Sequence, residues 1–179
     1  MIAYRRRLLA AGLALPAAAQ FPRLALAQSC AGTLSQTEGP FFKTETPLRT
    51  SFLEKDSRTR LVVSGQVLSA QCRPVPNALL EFWHADEFGE YDDKGYRYRG
   101  HQHADAQGRY RLETIVPAEY PGRARHIHVK AQAPGRRVLT TQLYFPNEPG
   151  NRRDSIYRSE LEMKMAKPGE GAFDFVVDA

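Results

Sequence analysis

The strongest constraint on this fold is rhythm: short apolar runs alternate with turn residues, and no long stretch carries a helical period. Leu61 to Leu68 reads as a strand. The turn Cys72-Arg73-Pro74-Val75-Pro76-Asn77 follows, and Ala78 to His84 is a second strand holding the only tryptophan. Asp105-Ala106-Gln107-Gly108 is a tight turn, and Arg109 to Val116 alternates polar with apolar residues. Arg125 to Ala133, Val138 to Phe145 and Ala172 to Asp178 complete the set. The segment around Arg97, Tyr98, Arg99, Gly100 and Asp105 reads as a solvated loop. Short strands with frequent turn signals predict an all-β fold, an antiparallel β-sandwich with a long irregular N-terminal arm and loops.

Three segments are expected. Residues 1–28 read as an export signal: Arg5-Arg6-Arg7-Leu8-Leu9 opens an Ala/Leu-rich run that ends in an Ala-x-Ala pattern at Ala25-Leu26-Ala27. Adjacent arginines followed by two leucines resemble a twin-arginine leader, with a plain secretory leader as the alternative. Pro16 and Pro22 interrupt the run, which argues against a stable membrane anchor. Residues 29–60 form the arm, with Thr37-Glu38-Gly39-Pro40-Phe41-Phe42 as its apolar knot, and residues 61–179 form the core. The expected destination is the periplasm or the extracellular space. Cys30 and Cys72 survive cleavage, and in an exported chain they predict one disulfide. Lipid attachment at Cys30 is the alternative, for which Ala27-Gln28-Ser29 is a poor site.

The basic balance comes from the leader. The whole chain carries 25 basic and 20 acidic residues, a net charge of +5. Residues 1–28 hold four arginines and no acid, so the rest is 21 basic against 20 acidic, or +1. No polybasic stripe remains, and nucleic-acid binding is not expected.

The candidate chemistry lies in Arg123-Ala124-Arg125-His126-Ile127-His128-Val129-Lys130. On a strand, His126 and His128 project from one face, roughly 7 Å apart along the chain, close enough to share a metal ion. Tyr120 precedes them in Val116-Pro117-Ala118-Glu119-Tyr120-Pro121-Gly122, a turn by composition, and Tyr91 lies further back. Two histidines with two tyrosines suit a hard, strongly acidic cation such as ferric iron, which can hold a phenolate although free phenol has a pKa of about 10. His101-Gln102-His103 repeats the spacing in a polar context, so spacing alone does not choose between the pairs.

Several segments together resemble the intradiol ring-cleavage dioxygenases, and look closest to the small exported branch of that family. Gln36-Thr37-Glu38-Gly39-Pro40-Phe41 resembles the N-terminal motif. Cys72 to Ala78 and Trp83 to Tyr91 resemble the strand and turn bearing a first tyrosine ligand. Arg99-Gly100-His101-Gln102, Thr114-Ile115-Val116-Pro117, Tyr120, His126-Ile127-His128 and Leu139 to Phe145 follow in the family's order, over about residues 33–150. The resemblance implies non-haem Fe(III) held by Tyr91, Tyr120, His126 and His128, with His101 and His103 outside the ligand set. It implies a small aromatic diol and O2 as substrates and a cis,cis-muconate-type diacid as product. Arg123 takes the active-site arginine role from its spacing of three to His126, with Arg125 as the fallback. The short Arg123-Ala124-Arg125-His126 lacks the proline usual in larger members. Gln142 would orient the substrate, and Tyr120 would double as a proton acceptor. Monomer and homo-oligomer both stay open. The alternative from a different class is a transthyretin-like, non-catalytic sandwich, in which those side chains would be ordinary face residues.

Overall fold

The computed structural model describes residues 29–179, so the expected export signal at 1–28 lies outside the described residues. The chain folds as two packed sheets. Strands β1 (Leu61–Ser69), β2 (Leu79–Trp83), β3 (Arg99–His103), β4 (Arg109–Thr114), β5 (His126–Gln132), β6 (Leu139–Tyr144), β7 (Lys164–Lys167), β8 (Glu170–Ala172) and β9 (Phe175–Val177) follow in chain order. One sheet runs β3-β2-β5-β6, antiparallel throughout. The other runs β4-β1-β8-β7, with β9 continuing beside β1. Short 3₁₀ turns at Pro149–Arg152 and Ser159–Leu161 interrupt the last third. Among the described residues there is no α-helix, and no helix is long and apolar enough to cross a membrane.

The core follows from period-two alternation. Leu61, Val63 and Val67 of β1 and Tyr110 and Leu112 of β4 face Leu80 and Phe82 of β2 and Ile127, Val129 and Ala131 of β5, all buried. Each aliphatic side chain buried there contributes roughly 1.5–3 kcal/mol by area.

Two expectations are corrected. The all-β sandwich holds, but it is not purely antiparallel: β8 and β9 both run parallel to β1. They pair with successive halves of one long strand, and the chain steps out between them at Phe173-Asp174. Gly65 sits opposite that step. A Cβ there would lie 1.8 Å from the Phe173 carbonyl oxygen, so only glycine fits. The Asp174 carboxylate accepts from the Gln66 amide at 2.8 Å and fills the interrupted ladder. The second correction concerns the presumed solvated loop, which contains strand β3. Its Arg99, Gly100 and Gln102 are buried. A polar sequence can be a largely buried edge strand here because the arm covers it. Phe52 and Arg49 would come within 2.8 and 2.9 Å of a Cβ on Gly100.

The arm covers both edges of the β3-β2-β5-β6 sheet and the β4 edge of the other. It bonds the free side of β6 through the Gln36 amide to the Thr140 carbonyl (2.8 Å). It then crosses the outer face of the β2-β5-β6 sheet and bonds the β3 edge, where Arg49 donates to His101 (2.9 Å) and His101 to Pro47 (3.0 Å). It ends against β4 through Phe52 to Glu113 (2.8 Å). The disulfide Cys30–Cys72 ties its start to the β1–β2 turn across 42 residues. In the loop-entropy model a closure of that length is worth about 4 kcal/mol.

His84 is packed between Tyr98 and Phe52, at ring-centroid distances of 5.1 and 6.1 Å. Its Nδ1 lies 2.7 Å from the Ala85 carbonyl, which can only accept, so the proton sits on Nδ1 and Nε2 accepts from the Thr114 hydroxyl at 2.7 Å. Burial, aided by the Arg99 charge, lowers its pKa to about 4. The unfolded chain, with a pKa near 6.5, therefore binds more protons between those values. Stability is full above pH 6.5 and declines as pH falls toward 4, by roughly 3 kcal/mol for this one group. Urea unfolding of metal-free protein at several pH values should show this slope, and His84→Gln should reduce it by this group's share, leaving the part that the buried His126 and His128 contribute. An unchanged slope in the variant would refute the assignment.

Candidate metal centre

The site grows from the outer face of β5. Because Ile127 and Val129 face the core, His126 and His128 must face the arm. Register supplies their neighbours. Trp83 of β2 and Gln142 of β6 flank His128, and Tyr144 of β6 lies beside His126. Trp83 stacks on the His128 ring at 4.7 Å with planes 6° apart, which fixes the ring orientation. Tyr91 arrives on the loop after β2 and Tyr120 on the connection from β4 to β5.

All four sequence-predicted rings converge. Ring centroids lie 4.7 Å apart for His126–His128, 5.7 Å for Tyr120–His126, 5.8 Å for Tyr91–Tyr120 and 6.2 Å for Tyr91–His128. The two Nε2 atoms are 3.1 Å apart, and the Tyr91 hydroxyl is 3.4 Å from His126 Nε2. His101 and His103 lie elsewhere, on β3, where His101 meets Thr46 Oγ1 at 3.3 Å.

Protonation follows from the partners. His126 Nδ1 lies 2.6 Å from the Ala124 carbonyl, so it carries the proton and leaves the Nε2 lone pair aimed at the cluster. Burial lowers the pKa of His126 to about 4 and that of His128 well below its ordinary value, so both are neutral at pH 7. Burial also raises the Tyr91 phenol, with Tyr120 as a second cause. Its phenolate forms only where a cation replaces the proton. Neutral imidazoles and a phenol that needs a cation to ionise make a donor set suited to a strongly Lewis-acidic metal. Among the described residues no three His, Cys, Asp or Glu side chains gather to hold a metal, so the tyrosines are needed to complete a site.

Arg123 and Arg125 separate clearly. Arg123 points into the cluster: Nη1 donates to the Tyr120 hydroxyl (3.3 Å), and Nη2 donates to Gln142 Oε1 (2.5 Å) and the Tyr144 hydroxyl (3.3 Å). Burial opposes its charge, but Asp154 and the neighbouring phenols outweigh that and hold its pKa above the ordinary value. Arg125 turns away to Glu148 (3.0 Å) and the face of Phe145. Gln142 is buried and also donates to the Thr37 carbonyl of the arm at 3.0 Å.

The arm roofs the cluster. Phe41 lies flat on Tyr91 (4.2 Å, 8°) and edge-on to Tyr120 (6.0 Å, 90°). Its carbonyl accepts from the buried Arg99, which also donates to the Asp92 carbonyl at 3.2 Å. Phe42 packs on Trp83 and lies under the Lys130 ammonium, which pairs with Glu38. Sequence reasoning missed Tyr144, whose hydroxyl donates to Gln36 Oε1 at 2.9 Å, as well as Trp83, Arg99 and Asp154. Only the β6 alternation that placed Gln142 could have signalled Tyr144, two residues on.

Known proteins place this geometry in context. A family model described as Dioxygenase matches residues 37–172. The chain is similar to a chlorocatechol 1,2-dioxygenase of Pseudomonas sp. (strain P51), 32% identical over 85% of this chain and 73% of that protein. It is also similar to catechol 1,2-dioxygenase 2 of Acinetobacter lwoffii, 31% identical over 66% of this chain and 53% of that protein. The chain spans about half the length of most of the curated relatives it matches. Among solved structures, it resembles the dioxygenase domain of a dioxygenase–carbohydrate-binding protein fusion from the cellulolytic bacterium Streptomyces sp. SirexAA-E. That match has 52% identity and a TM-score of 0.79, covering 83% of this chain and 99% of that domain.

Gly39 tests the roof. Its φ is +72°, and a Cβ there would meet His128 Cε1 at 3.3 Å. Gly39→Ala should cost about 1 kcal/mol or more in folding stability and displace the His128 ring. Chemical unfolding and histidine NMR shifts read the two effects. Wild-type values for both would show that the arm is not seated on His128.

Proposed function

The chain belongs to the intradiol ring-cleavage dioxygenases, and on that premise we propose that it opens the ring of a catechol-type substrate between the two hydroxyl-bearing carbons. Both atoms of O2 would enter the product, a cis,cis-muconate-type diacid. The observation that carries this reading is the convergence of two phenols and two neutral imidazoles, with an arginine and a glutamine, on one face of a sheet. A non-catalytic sandwich has no need to bury that set together, and desolvating so many polar groups without a function is costly.

Tyr91, Tyr120, His126 and His128 would hold ferric iron, which when bound supplies the Lewis acidity that lets a diol bind as its dianion and react with dioxygen. The remaining work falls to the chain. Tyr120, as the phenolate, would take one of the two protons that the diol gives up and become the phenol, its oxygen held toward Arg123 Nη1 by their 3.3 Å contact, while the second proton would leave to water. The Arg123 guanidinium stabilises negative charge developing on the ring, from a side chain only 14% exposed where such charge is poorly screened. Gln142, fixed between Arg123 and the Thr37 carbonyl, orients the substrate oxygens. Phe41 shields Tyr91 from water by stacking, and Trp83 keeps the His128 ring in plane.

The setting we propose is the periplasm or the extracellular space, reached through the twin-arginine pathway. Arg5-Arg6-Arg7-Leu8-Leu9 and the Cys30–Cys72 disulfide support this, since disulfides persist in oxidising compartments. The Streptomyces domain is joined to a carbohydrate-binding protein in a cellulolytic organism, which favours catechols met outside the cell, beside plant polymer, as substrates here too.

A visible spectrum of ferric-loaded protein, before and after anaerobic catechol, tests the reading. A broad phenolate-to-iron band that shifts on addition is expected, whereas a protein that stays colourless after ferric reconstitution would end it. Tyr120→Phe should keep part of its iron and lose most turnover, roughly a hundredfold or more if the proton role is general-base catalysis. Full activity in that variant would remove the proton role.

A further inference from the structure

We infer that Asp154 is a positioning residue that aims Arg123 and, through the backbone of Ala124, His126; this rests on the ring-cleavage reading above. Asp154 lies 31 residues after Arg123, beyond the last strand of the catalytic sheet. The 3₁₀ turn Pro149–Arg152 delivers it: Asn151 Nδ2 donates to the Phe145 carbonyl (2.9 Å), and the Asp154 amide donates to the Gly150 carbonyl (3.1 Å). Glu119 packs against Gly150 so closely that a Cβ would lie 2.1 Å from its carboxylate, so the turn is seated directly on the Tyr120 segment.

The Asp154 side chain is 1% exposed and its partners are all in the structure. Oδ2 accepts from Arg123 Nε at 3.0 Å and from the Ala124 amide at 3.0 Å, and Oδ1 accepts from the Ile156 amide at 3.1 Å. Holding Nε leaves both terminal nitrogens of Arg123 free to face Tyr120, Gln142 and Tyr144. The Ala124 backbone continues the chain of contacts, since its N–H is held by Asp154 and its carbonyl, in the next peptide group, faces His126 Nδ1 at 2.6 Å. One carboxylate thus sets the aim of the guanidinium and the ring position of a proposed ligand. A buried ion pair is weak evidence for stability, because desolvation offsets its attraction. Orientation accounts for this pair better than stability does.

The test compares wild type, Asp154→Asn, Arg123→Lys and the double variant, all ferric-loaded. The readouts are iron per chain, the anaerobic catechol-induced spectral shift, and kcat and KM. Asp154→Asn should retain the resting phenolate band, weaken the catechol-induced shift and lower kcat at least tenfold. Added to Arg123→Lys it should cost clearly less than it costs alone, because the aim of the guanidinium is already lost and only the Ala124–His126 contacts remain to be loosened. Losses that multiply in full, or wild-type kcat in Asp154→Asn, would overturn the inference and leave ring cleavage standing. A wild type with neither band nor turnover would overturn both. If Asp154→Asn does not fold, Asp154→Glu carries the same comparison, since it keeps the charge and displaces the guanidinium by one methylene.

Discussion

Everything at the site depends on the register of β5 between β2 and β6. Ile127, Val129 and Ala131 are locked into the core, and that anchoring turns His126 and His128 to the opposite face. Cross-strand pairing then lines Trp83, His128 and Gln142 into one row and sets Tyr144 beside His126. A slip of one residue would bury the histidines in the core and expose the aliphatics. The hydrophobic effect therefore places the polar chemistry, although none of the chemical groups takes part in the apolar core.

The second dependence is on the roof. A sheet face open to water would hydrate the imidazoles and screen Arg123. Here the arm crosses that face, stacks Phe41 on Tyr91 and seats Gly39 against His128. It is held at its start by the disulfide, along its course by bonds to β6, β3 and β4, and over the site by Arg99 and the Lys130–Glu38 pair. Burial then lowers the histidine pKa values and raises that of the Tyr91 phenol, which keeps the nitrogen lone pairs available and the phenol dependent on a cation. The fold thus spends stability to keep the cluster dry, and the covered edges offset part of that cost.

Most strands were legible because alternation in β1, β2, β4, β5 and β6 is a local property of the sequence. Strand β3 was not legible. Arg99, His101 and His103 read as solvated, and only the arm passing over Gly100 turns that segment into a buried strand. The parallel pairing of β8 and β9 was equally hidden, because it depends on a step at Phe173-Asp174 that only Gly65 accommodates. Among the site residues, the choice between Arg123 and Arg125 stayed open on spacing, and the packing of Arg125 on Phe145 separates them. Asp154 had no local signature, being an isolated acid in a polar stretch.

By itself the sequence determined the strand rhythm, the face on which His126 and His128 stand, the turn chemistry that carries Tyr120, and the motif order that names a family. Those are properties of neighbouring residues, governed by period-two geometry and backbone preference. The tertiary structure alone decided that Tyr91 and Tyr120 meet the histidines, that the arm seals them, and that Asp154 reaches back to hold Arg123. Apart from the local approach of Tyr120 to His126, those facts depend on contacts between residues 29 to 89 positions apart along the chain, and such contacts exist only once the two sheets have packed.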